Sequence, residues 1–206
     1  MNRASIRAAM GVAASLWAAL LLPPQLVEWS PADTPEWIAH LATADVYEWL
    51  SSLGAAVGLT DPYFLFGAGV APSFLLIGLV HLHEVRQLGW AGRLFAGLTL
   101  AGTVLVVVSY AAAAWEQPWR ALWGLEALLF VAIGLTGLAA GIVAFRRGHP
   151  RPRAALITIT PVVIVLSTLA IPYYPHGTLV GMGLQAAALG LMDRTTETAP
   201  RPVPAT

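Results

Sequence analysis

Asp61 to Arg86 reads DPYFLFGAGVAPSFLLIGLVHLHEVR. It carries no charge between Pro62 and Val80, then ends abruptly in His81, His83, Glu84 and Arg86. A helical run of about 20 apolar residues matches the hydrocarbon thickness of a bilayer. The ionisable cluster then falls where such a helix meets water. Similar apolar runs recur along the chain. Together they predict an all-α fold, a polytopic integral membrane bundle.

Composition points the same way. Of 206 residues, 57% are hydrophobic and 11% charged, whereas an average soluble domain carries about 25% charged residues. So few charges suit a surface that faces lipid. The lipid bilayer is therefore the first partner, and other membrane proteins are the next. The formal net charge is +0, and no basic run is interleaved with exposed aromatics, which argues against nucleic acid. The chain has no cysteine, which excludes disulfides, thiol redox chemistry and cysteine metal ligation. Every basic residue is arginine. With so much Ala, Gly, Pro and Arg, the chain reads as the product of a high-GC bacterial genome, and its place as the bacterial plasma (inner) membrane.

Working outward, apolar runs predict about six transmembrane helices in a single domain over residues 1–192. Their approximate ranges are 8–27, 63–82, 94–115, 121–145, 154–171 and 177–192. The first run resembles a secretory signal peptide, but no small-x-small cleavage site follows it, and an uncleaved helix is predicted. Pro23 and Pro24 stop or kink that helix, and Pro72 and Pro161 kink two others. In the fourth helix, Gly137 and Gly141 form a GxxxG pattern that lets a neighbouring helix approach. Residues 193–206 are polar and Pro-rich and predict a disordered cytoplasmic tail.

Residues 28–62 form the longest polar segment. It contains Glu28, Asp33, Glu36, Asp45, Glu48 and Asp61 but no arginine. Thr34, Pro35 and Glu36 read as an N-cap, a first-position proline and a first-turn acid. Ile38, Ala42, Val46, Trp49, Leu50 and Leu53 then share one helical face. The segment predicts an amphipathic helix lying in the outer interface. Arginine placement sets the orientation. Arg120 alone falls in an outer segment if both termini are cytoplasmic, in keeping with positive-inside bias.

Two groups of residues could carry chemistry. Ionisable groups in a span are costly and often functional, and Glu126 is the one acid predicted within a span, about two turns from its outer end. Tyr110, Tyr173, Tyr174 and His176 are its candidate neighbours in an outward-facing polar pocket, with Glu126 as proton or cation acceptor. The competing reading makes Glu126 a structural lock to a tyrosine or to the headgroup layer. The second group is His81, His83 and Glu84 at the inner end. His81 and Glu84 share a helix face while His83 points elsewhere. Imidazole and carboxylate suit a metal, but a stable site wants three or four ligands, and no HExxH or multi-histidine box is present. No metal and no cofactor are expected. No P-loop, GxSxG or dinucleotide fingerprint appears in a strand–helix setting.

Three functions fit these features. The sparse polar groups favour a non-catalytic accessory or interaction subunit. The first alternative is a small-solute or proton-coupled transporter using Glu126. The second is a membrane-embedded enzyme using His81 and Glu84, or Glu126.

Overall fold

A computed structural model describes residues 2–171 and 173–197, with the backbone alone for Tyr174 and 193–197. All regular structure among these residues is helical. The α-helices are α1 (Arg3–Trp29), α2 (Glu36–Leu41), α3 (Asp45–Ala56), α4 (Pro62–Ala68), α5 (Ala71–Val85), α6 (Trp90–Ala112), α7 (Leu125–Arg146), α8 (Arg151–Thr158), α9 (Thr160–Ala170) and α10 (Tyr174–Glu197). Four stretches are long and apolar enough to cross a membrane: Arg3–Trp29, Pro62–Leu88, Trp90–Ala112 and Trp119–Arg146. A fifth exists if α8 and α9, bent by 52°, form one broken span.

Local chemistry sets the helix ends. The Asn2 side chain caps α1 by accepting from the Ser5 N–H at 2.8 Å. Asp61 caps α4 by accepting from the Tyr63 N–H at 3.0 Å, with Pro62 in the first turn. Several predicted boundaries move. Pro23 and Pro24 do not stop α1, which continues to Trp29. Pro72 falls in the first turn of α5, so the break lies before it, at Gly69 and Val70. Gly124, at φ +84°, stops the fourth predicted helix from beginning at residue 121; α7 starts at Leu125 and a 3-10 turn precedes it. Glu126 therefore stands in the first turn of α7, not two turns in. At the other end of the chain, α10 continues to Glu197, so 193–197 are helical where a disordered tail was expected. Residues 198–206 of that tail lie outside the described residues.

The segment after α1 also differs from expectation. Thr34 is not an N-cap: its hydroxyl donates to the carbonyls of Leu26 (3.1 Å) and Ser30 (2.8 Å), securing the end of α1. A turn at Ala42–Ala44 divides the single predicted helix into α2 and α3 and shifts the buried register. Ile38, Tyr47 and Gly54 face inward, while Val46, Trp49 and Leu53 are exposed.

The closest packing is between α1 and α10, which run antiparallel through small residues. A Cβ on Gly11 would lie 2.7 Å from the Gly183 carbonyl oxygen, and Ser15 Oγ donates to the Val180 carbonyl at 2.8 Å. Backbones this close need glycine, alanine and serine at the contact. Gly137 and Gly141 also face a neighbour: Thr160 and Thr158, at the α8–α9 break, occupy the space their side chains would fill.

Prolines leave carbonyls without a helical N–H partner, and neighbouring side chains serve the broken turns. Tyr47 on α3 reaches the Leu20 carbonyl of α1 at 2.8 Å. At the α4–α5 break, Trp17 Nε1 donates to the Gly69 carbonyl at 2.7 Å, and Ser73 Oγ returns a bond to the Ala14 carbonyl at 2.8 Å. At the α8–α9 break, Gln185 Nε2 donates to the Leu156 carbonyl at 2.6 Å and to Thr160 Oγ1 at 2.9 Å. Thr160 Oγ1 in turn donates to the Ile157 carbonyl at 2.7 Å.

The bundle has two chemically distinct ends. One gathers the start of α1, the end of α5 and the start of α8 through contacts of Arg7, Glu84 and Arg153; there Arg147 Nη1 also donates to the Gln87 carbonyl at 2.7 Å. The other gathers Trp29, Tyr63, Tyr110, Trp123 and Tyr173.

Candidate functional site

At the aromatic end, α1, α4, α6, α7 and the α9–α10 turn place a polar cluster. The Tyr110 and Tyr173 hydroxyls lie 2.5 Å apart, and Gln25 Nε2 donates to the Tyr173 hydroxyl at 3.0 Å. The His176 ring packs against Tyr173 at 5.1 Å between centroids, and Tyr63 packs against Tyr110 at 5.2 Å. Trp29 covers the group, stacked on Trp123 at 5.6 Å and on Tyr63 at 6.3 Å. Trp123 Nε1 donates to the Tyr63 hydroxyl at 3.1 Å.

Glu126 is buried beside this cluster and interacts electrostatically with Tyr63, Tyr110 and Tyr173. Its place in the first turn of α7 puts a carboxylate at the positive end of the helix dipole. Thus Glu126, Tyr110, Tyr173 and His176 share one neighbourhood. The side chain of Tyr174 lies outside the described residues. The sequence reading missed Gln25, Tyr63, Trp29 and Trp123. Gln25 carried a usable signal, an amide within an apolar run next to two prolines. A carboxyl and neighbouring phenols can hold a proton or a cation in a low-dielectric setting.

At the arginine end, Glu84 is buried, with Arg7 Nε at 3.0 Å from one carboxylate oxygen and Arg153 paired to the other. One carboxylate thus joins α1, α5 and α8. His81 is also buried, but its ring is stacked on Phe95 at 4.4 Å, and its Nε2 makes no hydrogen bond. Thr99 Oγ1 lies 3.5 Å from its Nδ1 and donates to the Phe95 carbonyl at 2.9 Å. His81 and Glu84 are therefore each engaged by other groups. His83 is exposed and borders a cleft with Arg3, Ile6 and Arg7. His149 is partly exposed on the loop before α8. Among the described residues, no three His, Asp or Glu side chains come together as metal ligands would.

The sequence reading saw Glu84 but not its two guanidinium partners. The signal was present: Glu84 closes an apolar run two residues before Arg86, and arginines cluster again at Arg146, Arg147, Arg151 and Arg153.

Compared with known protein families, curated proteins and solved structures, the chain matches none.

Proposed function

We propose that the chain is a non-catalytic subunit of a membrane assembly, a braced bundle whose lateral face receives a helix of a partner membrane protein. The observation that carries this reading is the use made of the interior polar side chains. Ser15, Trp17, Tyr47, Ser73 and Gln185 each hydrogen-bond a backbone carbonyl of another element. Glu84 is engaged between Arg7 and Arg153. These groups fix helices in register.

An apolar groove of about 370 Å³ runs along α7 and α9, with Val131, Gly134 and Leu135 on one side and Pro161 and Val165 on the other. Its small and ring-shaped residues suit the close approach of another helix. In a bilayer the chain would cross about six times, with α4–α5 and α8–α9 as broken spans and α2–α3 in the outer interface. The arginine end then faces the cytoplasm of a bacterial cell by the positive-inside bias, and both termini lie there.

A photo-crosslinker at Val131 or Leu135, with Val104 on the exposed side of α6 as control, tests the groove. A discrete protein adduct from the groove positions, matching a complex of fixed stoichiometry in mild detergent, supports the reading. Adducts to lipid alone from all three positions remove it.

A second reading rests on Glu126 among the tyrosines: a proton- or cation-coupled transporter. Glu126→Gln in reconstituted vesicles tests it. Coupled flux lost at unchanged abundance favours transport, and no flux in the parent protein ends it.

A further inference from the structure

We propose that the cleft between the end of α6 and the 3-10 turn before α7 binds the ammonium of a phosphatidylethanolamine headgroup. The inference goes beyond the partner groove and rests only on the bilayer reading.

The cleft, about 760 Å³, has Trp115, Glu116, Gln117 and Trp119 in its wall, with Val108 and Leu122 as apolar lining. Both indoles are exposed, and an indole attracts a cation to its ring. Glu116 is exposed and, among the described residues, forms no ion pair. Arg120 ends the same turn, its backbone N–H donating to the Glu116 carbonyl at 3.1 Å, but it is not among the residues that line the cleft. The Glu116 carboxylate therefore keeps its charge for a ligand. The segment from Glu28 to Asp61, at the same end of the bundle, adds acids and no arginine, so the local field favours a cation.

The wall chemistry selects among headgroups. The carboxylate of Glu116 and the amide oxygen of Gln117 accept N–H bonds, and a primary ammonium offers three donors. A quaternary ammonium has none and would keep only its contact with the indoles. A headgroup of net negative charge would meet Glu116 with like charge.

The surroundings select a lipid amine over a free one. Val108 and Leu122 give the cleft an aliphatic side. Val104 lies one turn before Val108 on α6 and is exposed, so the apolar surface continues from the cleft along the span. An acyl chain below an ammonium held at Glu116 runs along this surface. Tryptophans at a helix end stand at headgroup level, which sets the height of the cleft.

The test uses the full chain reconstituted with equal amounts of phosphatidylethanolamine, phosphatidylcholine and phosphatidylglycerol of matched acyl chains, extracted in mild detergent and weighed intact by native mass spectrometry. The parent protein is expected to retain phosphatidylethanolamine in preference to both others. Glu116 and Trp119 are exposed, so Glu116→Gln and Trp119→Leu keep the fold. Trp119→Leu is expected to weaken retention roughly five-fold, the factor for about 1 kcal/mol in one exposed cation–π contact. Glu116→Gln should abolish the preference over phosphatidylcholine. Trp90→Leu removes an exposed indole at the opposite end of α6 and should change nothing. No preference for phosphatidylethanolamine in the parent, an unchanged preference in Glu116→Gln, or equal losses in Trp119→Leu and Trp90→Leu overturns the proposal. A thermal shift by free ethanolamine that Glu116→Gln abolishes, without lipid preference, assigns the cleft to a soluble amine and also overturns the lipid assignment. Partition of the parent chain into the detergent phase checks the bilayer reading separately.

Discussion

The Tyr47 hydroxyl donates a 2.8 Å hydrogen bond to the Leu20 carbonyl. That carbonyl lies four residues before Pro24, whose ring nitrogen has no hydrogen to give it. A side chain from the polar segment thus does the work of a missing backbone donor. Burial raises the pKa of the Tyr47 hydroxyl, which keeps it in the protonated, donating form.

Tyr47→Phe removes this donor and keeps the ring, which meets Phe66 edge-on at 6.1 Å between centroids. The expected cost is about 1 kcal/mol, the usual worth of one hydrogen bond. Hydrogen exchange in detergent reads it. Amides of α3 should lose protection first, while those of α6 stay as in the parent.

Gln185→Leu leaves the Leu156 carbonyl without its side-chain donor at the bend between α8 and α9. A loss of about 1–2 kcal/mol is expected, since an uncapped buried carbonyl is costly. Gln185→Glu offers acceptors where donors are needed and should be worse than leucine. Thermal melting of the detergent-solubilised protein ranks the two, and the reverse order would mean that the amide does not cap the break.

Glu84→Gln leaves Arg7 and Arg153 facing a neutral amide. Removing one partner of a buried ion pair costs on the order of 3 kcal/mol. The melting temperature should drop accordingly. The double variant Glu84→Gln with Arg153→Gln should recover part of the loss, because one of the stranded charges is gone. A double variant less stable than the single one would contradict this.

Gly11→Val places a branched side chain against the α10 backbone, where even a Cβ comes within 2.7 Å of the Gly183 oxygen. Failure to yield a monodisperse protein is expected. Ala9→Val, on the exposed side of α1, is the matched control and should purify like the parent. Size-exclusion profiles compare them.

The helical class and the main apolar stretches were legible in the sequence because lipid thickness imposes a length on any uncharged run. Boundaries were less so. Gly124 carries a positive φ that composition does not reveal, and it moved Glu126 from about two turns inside a helix into a first turn. The facing of α3 was misjudged because a turn at Ala42–Ala44 resets the helical phase, and three small residues gave no hint of a stop. The aromatic-end neighbourhood was partly visible, since tyrosine, histidine and glutamate stand out in apolar runs. Gln25 and Tyr63 were overlooked because their proximity to Tyr110 and Tyr173 depends on how three separate helices and the α9–α10 turn pack. The Arg7–Glu84–Arg153 grouping joins positions 77 and 69 residues apart along the chain, and no local periodicity encodes such a meeting.

Gln185 also bears on how the protein is made. Leu156 leaves the ribosome 29 residues ahead of the amide that serves its carbonyl, and synthesis runs from the N-terminus onward. The half-finished chain therefore holds an open hydrogen-bond acceptor until its final long helix arrives. Docking of α10 therefore completes the α8–α9 bend only after translation has passed residue 185, and a ribosome stalled before it strands a chain with that carbonyl unserved.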